Sequence, residues 1–197
     1  GMRFDDAQAN SDGLVHAVLE RIDFANPGDI HAAVARLAEE HLPGGSSGIG
    51  EAAAMIDRFV RSPRAAGLAA ARQVHRELEF LLRWPPESAP DADGICLQGY
   101  LDCLYQDAAG CWHLLDYKTN RASKSALQRA AAAYEMQMLV YALAVETITG
   151  KPPEELVLCF LHPGAEYSFT WDAAARRRLT QLLDPALAAP VAGPSRP

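Results

Sequence analysis

The sequence predicts an α/β domain with a helical N-terminal region and a central sheet flanked by helices. Three observations carry this prediction. Apolar residues recur at helical spacing as far as Val60, the period changes to two from Val74, and two strand pairs with turn signals then bracket a long helical stretch.

In the segment from Asp12 to Phe24, Leu14, Val15, Val18, Leu19 and Ile22 share a helix face behind a Ser11 or Asp12 cap, and Pro27-Gly28 ends the helix. A second helix is expected from Asp29 to His41, then a flexible loop through Pro43-Gly44-Gly45-Ser46-Ser47-Gly48. A third helix covers Gly50 to Val60, and a short alanine-rich one follows Pro63. Leu78, Phe80 and Leu82 then alternate with Glu77, Glu79 and Leu81 in a strand that Trp84-Pro85-Pro86 ends. After a loop through Asp93-Gly94, the strands around Gly99 to Leu104 and Leu114 to Thr119 are joined by Asp107-Ala108-Ala109-Gly110, a turn of hairpin length. Ser125 to Thr149 reads as one long helix closed by Gly150 and Pro152. Leu156 to Leu161 and Tyr167 to Trp171 read as a second hairpin over Pro163-Gly164, and a last helix begins near Asp172.

With 197 residues, 49% hydrophobic and 22% charged, the chain fits one domain over residues 1–197. Residues 1–11 read as a leader with Gly1 left from tag cleavage, and residues 187–197 as a frayed tail. No apolar run is long enough to span a bilayer and no signal peptide is visible, which points to a cytoplasmic protein. Cys96, Cys103, Cys111 and Cys159 form no Cys-x-x-Cys pair, so they read as reduced thiols rather than a zinc ribbon or redox motif. No Gly-x-x-x-x-Gly-Lys loop is present, so ATP hydrolysis is not expected of these residues. The net charge of -7 weighs mildly against a nucleic-acid partner. The basic residues are unevenly placed, however. Arg121, Lys124 and Arg129 are the best phosphate-contact candidates; a solvated helix face is the competing reading for each basic group, Arg58, Arg61 and Arg64 included, and the preferred one for Arg176 to Arg178.

The chemistry concentrates in Asp102, Asp116 and Lys118, charges set where a sheet core should be. Trp112, Leu114, Asp116 and Lys118 share one strand face, Leu115 and Tyr117 the other. Hairpin pairing brings Asp102 near Asp116, and two partly buried carboxylates repel unless a cation lies between them. Oxygen donors favour Mg²⁺ or Mn²⁺, beside which a lysine can orient water or stabilise developing negative charge. A cross-strand salt bridge is the competing reading of an isolated Asp-x-Lys.

Gln98-Gly99-Tyr100-Leu101-Asp102-Cys103-Leu104, Leu115-Asp116-Tyr117-Lys118-Thr119-Asn120-Arg121 and Tyr134-Glu135-Met136-Gln137-Met138-Leu139-Val140-Tyr141 together resemble the RecB-like branch of the PD-(D/E)XK nuclease superfamily. The likeness extends to the C-terminal nuclease domain of AddA-type helicase-nucleases. Upstream, Gly13-Leu14-Val15-His16 with Leu19-Glu20 looks like the branch's histidine motif, and Arg76-Glu77-Leu78-Glu79-Phe80 like its first-strand glutamate motif. Leu101 stands where the superfamily's name has proline.

The resemblance implies a restriction-endonuclease-like core with a central mixed sheet of about five strands, and Mg²⁺- or Mn²⁺-dependent hydrolysis of DNA beside a helicase domain or subunit. It implies that His16, Asp102, Asp116 and the Tyr117 carbonyl ligate the metal and that Lys118 positions or activates the attacking water. Glu77 falls at the site's edge, while Gln137, Tyr141, Arg121 and Lys124 contact DNA or support the site. No iron-sulfur cluster is implied, because the C-terminal cysteine trio of cluster-bearing relatives is absent. The alternative is a catalytically silent module that keeps the fold and binds DNA or a helicase partner.

Overall fold

The periodicities translate into four helices, a three-strand run, two helices, two more strands and a closing helix. The computed structural model describes residues 5–41, 48–85 and 95–188. The elements are α1 (Asp5–Arg21), α2 (Ile30–His41), α3 (Ile49–Val60), α4 (Pro63–Ala69), β1 (Gln73–Trp84), β2 (Ile95–Gln106), β3 (Trp112–Lys118), α5 (Leu127–Ala132), α6 (Glu135–Thr149), β4 (Glu155–Phe160), β5 (Ala165–Phe169) and α7 (Ala173–Ala188). Among them no helix is long and apolar enough to cross a membrane.

The five strands form one mixed sheet in the order β1-β2-β3-β4-β5, antiparallel except for the central β3–β4 pair. The parallel pair needs a crossover, which the helical stretch between β3 and β4 supplies. Val15, Leu19, Ile56 and Phe59 from α1 and α3 pack on Cys103, Tyr105, Leu115 and Tyr117. On the other face Met138, Ala142 and Val145 of α6 pack on Leu104, Leu114, Leu158 and Phe160. The alternation within β3 therefore holds: Leu114 and Leu115 enter opposite layers. Leu179 and Leu183 fix α7 against Leu139 and Trp84.

Local chemistry sets most boundaries. Asp29 accepts from the Ala32 amide and Asp172 from the Ala175 amide, so both carboxylates cap helices at the expected positions. At the β2–β3 turn, Asp107 Oδ1 accepts from the Cys111 amide and Gly110 takes the left-handed conformation at φ +86°.

Several expectations need correction. α1 begins at Asp5, ahead of the Ser11 or Asp12 cap expected to open it. The stretch expected as one helix over Ser125 to Thr149 is a 3₁₀ turn at Lys124–Ala126 followed by two helices, broken at Ala133-Tyr134. β5 runs Ala165–Phe169 rather than Tyr167 to Trp171, because Gly164 makes the turn at φ +61° and Phe160 pairs directly with Ala165. The arginines at α3 and α4 divide: Arg61 is on a solvated face, paired with Asp57 four residues earlier, whereas Arg58 Nη1 donates to the Leu161 and His162 carbonyls and Arg64 is tied to Glu155, Glu166 and Tyr105. α7 extends to Ala188, while the tail from 189, the loop around Pro43 and the loop through Asp93-Gly94 lie outside the described residues.

Candidate metal centre

The candidate site forms where the sheet stops pairing. The β1–β2 ladder runs from Gln73↔Gln106 to Trp84↔Ile95 and skips Glu77 and Asp102, which the register sets opposite each other. The β2–β3 ladder ends at Cys103↔Leu115, one step short of Asp102 and Asp116. Glu77, Asp102 and Asp116 thus occupy one row across three strands at the opening of the ladder.

Backbone conformation creates this row. Glu77 has φ +48°, a left-handed conformation that costs a side-chain-bearing residue energy unless its surroundings enforce it. The consequence is a change of face along β1. Val74 packs with the α1–α4 layer, yet Leu78, Phe80 and Leu82, of the same parity, pack with α6. Cys103 and Leu101 of β2 divide between the two layers in the same way. In regular pleat Glu77 would sit opposite its apolar neighbours; here it joins His16 and Asp102 in a group whose ligand atoms all lie within 4.8 Å of one another.

Tertiary contacts hold the remaining donors. His16, on α1, has Nδ1 3.6 Å from Asp102 Oδ2 and Nε2 3.6 Å from Asp12 Oδ1. Asp12 also accepts from Thr119 Oγ1 at 2.9 Å, which ties the first helix to the end of β3. The Tyr117 amide donates to Asp102 Oδ2 at 2.8 Å, a side-chain acceptor in place of a ladder carbonyl.

Asp116 is 1% exposed, and its Oδ2 lies 2.7 Å from Lys118 Nζ, yet among the described residues no hydrogen bond of ordinary angle reaches that oxygen. Lys118 Nζ also donates to Gln137 Oε1 at 3.4 Å and lies 4.4 Å from the centre of the Tyr134 ring. Gln137 in turn donates to Tyr141 Oη at 2.8 Å, so the two residues four apart on α6 act as a pair. Tyr141 packs edge-on against Phe80 of β1, which couples α6 to the row of carboxylates.

Electrostatics follow from crowding. Burial, with the Asp116 charge adding to it, pushes the Asp102 carboxyl up to about 7, against the opposing pull of His16, the Tyr117 amide and Lys118. Burial also raises Asp116, opposed mainly by Lys118, and raises Glu77, opposed by His16. Tyr141 is pushed up to about 12 by burial and is a neutral hydroxyl near neutrality. Carboxylates that resist ionisation, an imidazole in reach and a buried Asp116 oxygen faced by the Lys118 ammonium make a donor set suited to a hard divalent cation.

The structure brings together His16, Glu77, Asp102, Asp116, Lys118, Gln137 and Tyr141. Arg121 instead pairs with Glu51 of α3 at 2.7 Å. Lys124 opens the 3₁₀ turn, and its side chain lies outside the described residues. Asp12, Asn120 and the ring of Tyr134 join the site although sequence reasoning does not assign them to it. The spacing of Asp12 to His16 is a legible signal; the position of Tyr134 is hidden by the helix break.

The sequence profile of the PD-(D/E)XK nuclease superfamily matches residues 9–194. The chain belongs to this superfamily. Its mixed sheet with helices on both faces agrees with the α/β restriction-endonuclease-like fold. Its relatives include proteins named as the A subunit of an ATP-dependent helicase/nuclease. That from Moorella thermoacetica is 32% identical over 167 residues, 79% of this chain and 12% of the relative. That from Pelotomaculum thermopropionicum is 30% identical over 167 residues, 80% and 13%. That from Acetivibrio thermocellus is 27% identical over 164 residues, 79% and 13%. The chain spans about an eighth of the length of these relatives.

Proposed function

We propose that this nuclease-superfamily domain is a Mg²⁺- or Mn²⁺-dependent deoxyribonuclease that degrades DNA exonucleolytically beside a helicase domain or subunit, in double-strand-break processing in the cytoplasm. The observation that carries the reading is the row of Glu77, Asp102 and Asp116 at the opening of the ladder, with His16 in reach and the buried Asp116 carboxylate beside Lys118. His16, Asp102, Asp116, the Tyr117 carbonyl and Glu77 would hold the cation. When bound, such an ion polarises a phosphoryl oxygen, lowers the pKa of water and offsets charge on the leaving oxygen.

The protein's own part is positioning. The Lys118 ammonium, held between Asp116 and Gln137, donates hydrogen bonds to an entering water or a charged phosphate oxygen. Tyr141, neutral and bound to Gln137, keeps that amide oxygen facing the lysine. The names of the relatives, each a helicase/nuclease component, support the helicase context.

The test is cleavage of end-labelled linear and covalently closed circular DNA with Mg²⁺, Mn²⁺ or EDTA. The expected result is release of short products from linear DNA with metal only, abolished in Asp116→Asn and Lys118→Ala. Metal-independent cleavage, or equal activity in both variants, overturns it. The net charge of -7 and the pairing of Arg121 with Glu51 favour one further outcome, a domain that grips DNA weakly without its partner. DNA binding without cleavage, even when a helicase partner is added, would identify the silent module.

A further inference from the structure

We propose that Tyr134 is a positioning residue for Lys118: the face of its ring holds the ammonium at the edge of the carboxylate row, ready for the phosphate. The inference rests on the nuclease reading for its kinetic consequence and on geometry alone for the contact.

A lysine head group is a compact cation on a flexible four-carbon stem, so a fixed position has to be imposed by its surroundings. Three groups surround Lys118 Nζ: Asp116 Oδ2 at 2.7 Å, Gln137 Oε1 at 3.4 Å and the Tyr134 ring centre at 4.4 Å. They differ in what else claims them. Asp116 is a candidate ligand, so its negative charge is shared with any bound cation. The Gln137 contact is long, and its amide is also engaged with Tyr141. The attraction of the ring face depends on neither, because the quadrupole of the ring is fixed and the Lys118 side chain, 16% exposed, is largely out of water.

The ring itself is anchored. Asn120 Nδ2 donates to Tyr134 Oη at 2.9 Å, linking it to the loop that follows β3. Its backbone sits in the break between α5 and α6, where the Tyr134 amide donates to the Ala131 carbonyl and its own carbonyl accepts from Met138. The break turns the residue before α6 toward the strand that carries Lys118, which explains why the helical stretch is interrupted where neither glycine nor proline interrupts it.

The experiment uses the full chain with Tyr134→Phe and Tyr134→Leu. The first keeps the ring and removes only the hydroxyl; the second removes the ring. A ring-current upfield shift of the Lys118 ε-methylene resonance, assigned with Lys118→Ala, is expected in the wild type and Tyr134→Phe and absent in Tyr134→Leu. With linear DNA and Mn²⁺, Tyr134→Leu is expected to lower kcat about tenfold while KM and Mn²⁺ affinity stay within about twofold, and Tyr134→Phe to stay near wild type.

Absence of the upfield shift in the wild type overturns the proposal. So does an active Tyr134→Leu with unchanged kcat, or a Tyr134→Phe as slow as Tyr134→Leu, which would mean that the hydroxyl and its bond from Asn120, not the ring face, carry the effect. If the wild type cuts no nucleic acid, the nuclease reading fails, and the methylene shift still decides whether Tyr134 holds Lys118. Should Tyr134→Leu not fold, Tyr134→Met removes the ring with less loss of volume and carries the same expectations.

Discussion

Asp102 is governed by burial before anything else. Its carboxyl rises from an unfolded value of 3.8 to about 7, so between those limits the folded protein holds a proton that the unfolded chain has released. The sign follows directly: without metal, stability is greatest below pH 4 as far as this group is concerned, and falls as pH rises toward 7. Thermal denaturation in EDTA should show melting temperature declining by a few degrees across that window, and Asp102→Asn should flatten the decline. Metal binding has the opposite dependence, because the ligand must lose its proton first, so Mn²⁺ affinity should fall steadily below pH 7. Glu77→Gln should weaken Mn²⁺ binding on the order of 10–100-fold in a calorimetric titration, with the fold intact. The two aspartates and Lys118 are legible in the sequence because charge interrupts an apolar strand. Glu77 is ambiguous for a physical reason: simple alternation cannot foresee a positive φ, and that single dihedral decides which way its carboxylate faces.

Elements then decide how firmly the row is held. The outer half of the β1–β2 hairpin packs on α6 through Phe80 and Tyr141, and Gly99 makes that approach possible. A Cβ at Gly99 would lie 2.8 Å from Phe80 Cζ and 3.7 Å from the Tyr141 ring. Gly99→Ala should therefore displace Phe80, cost about 1–3 kcal/mol in chemical denaturation and reduce cleavage through Tyr141 and Gln137. Most element types can be read from periodicity and caps, as at Asp29 and Asp172. The split between α5 and α6 cannot, since Ala130 to Ala133 favour continuous helix and the interruption falls at Tyr134, whose contacts with Asn120 and Lys118 are tertiary.

Across the whole molecule, the two ends of β3 carry different kinds of charge. At its start, Arg64 is enclosed by Glu155, Glu166 and Tyr105, while His113 sits between Asp107 and Glu155, a network built from other residues than the carboxylate row. Removing Arg64 leaves two glutamates without their cation, so Arg64→Leu should destabilise the domain by about 2–4 kcal/mol yet leave kcat unchanged where the protein remains folded. The parallel pairing at the centre of the sheet has a wider consequence. Asp116 and Lys118 are set in register by Leu158 and Phe160 of β4, strand partners about forty residues further along the chain. The chemistry is encoded by Tyr141, but the centre cannot assemble until β4 has been synthesised and docked. The row is therefore completed by a long-range pairing and not by the local hairpin alone. A ribosome-stalled or truncated chain ending before Glu155 would carry every catalytic side chain and no catalytic site.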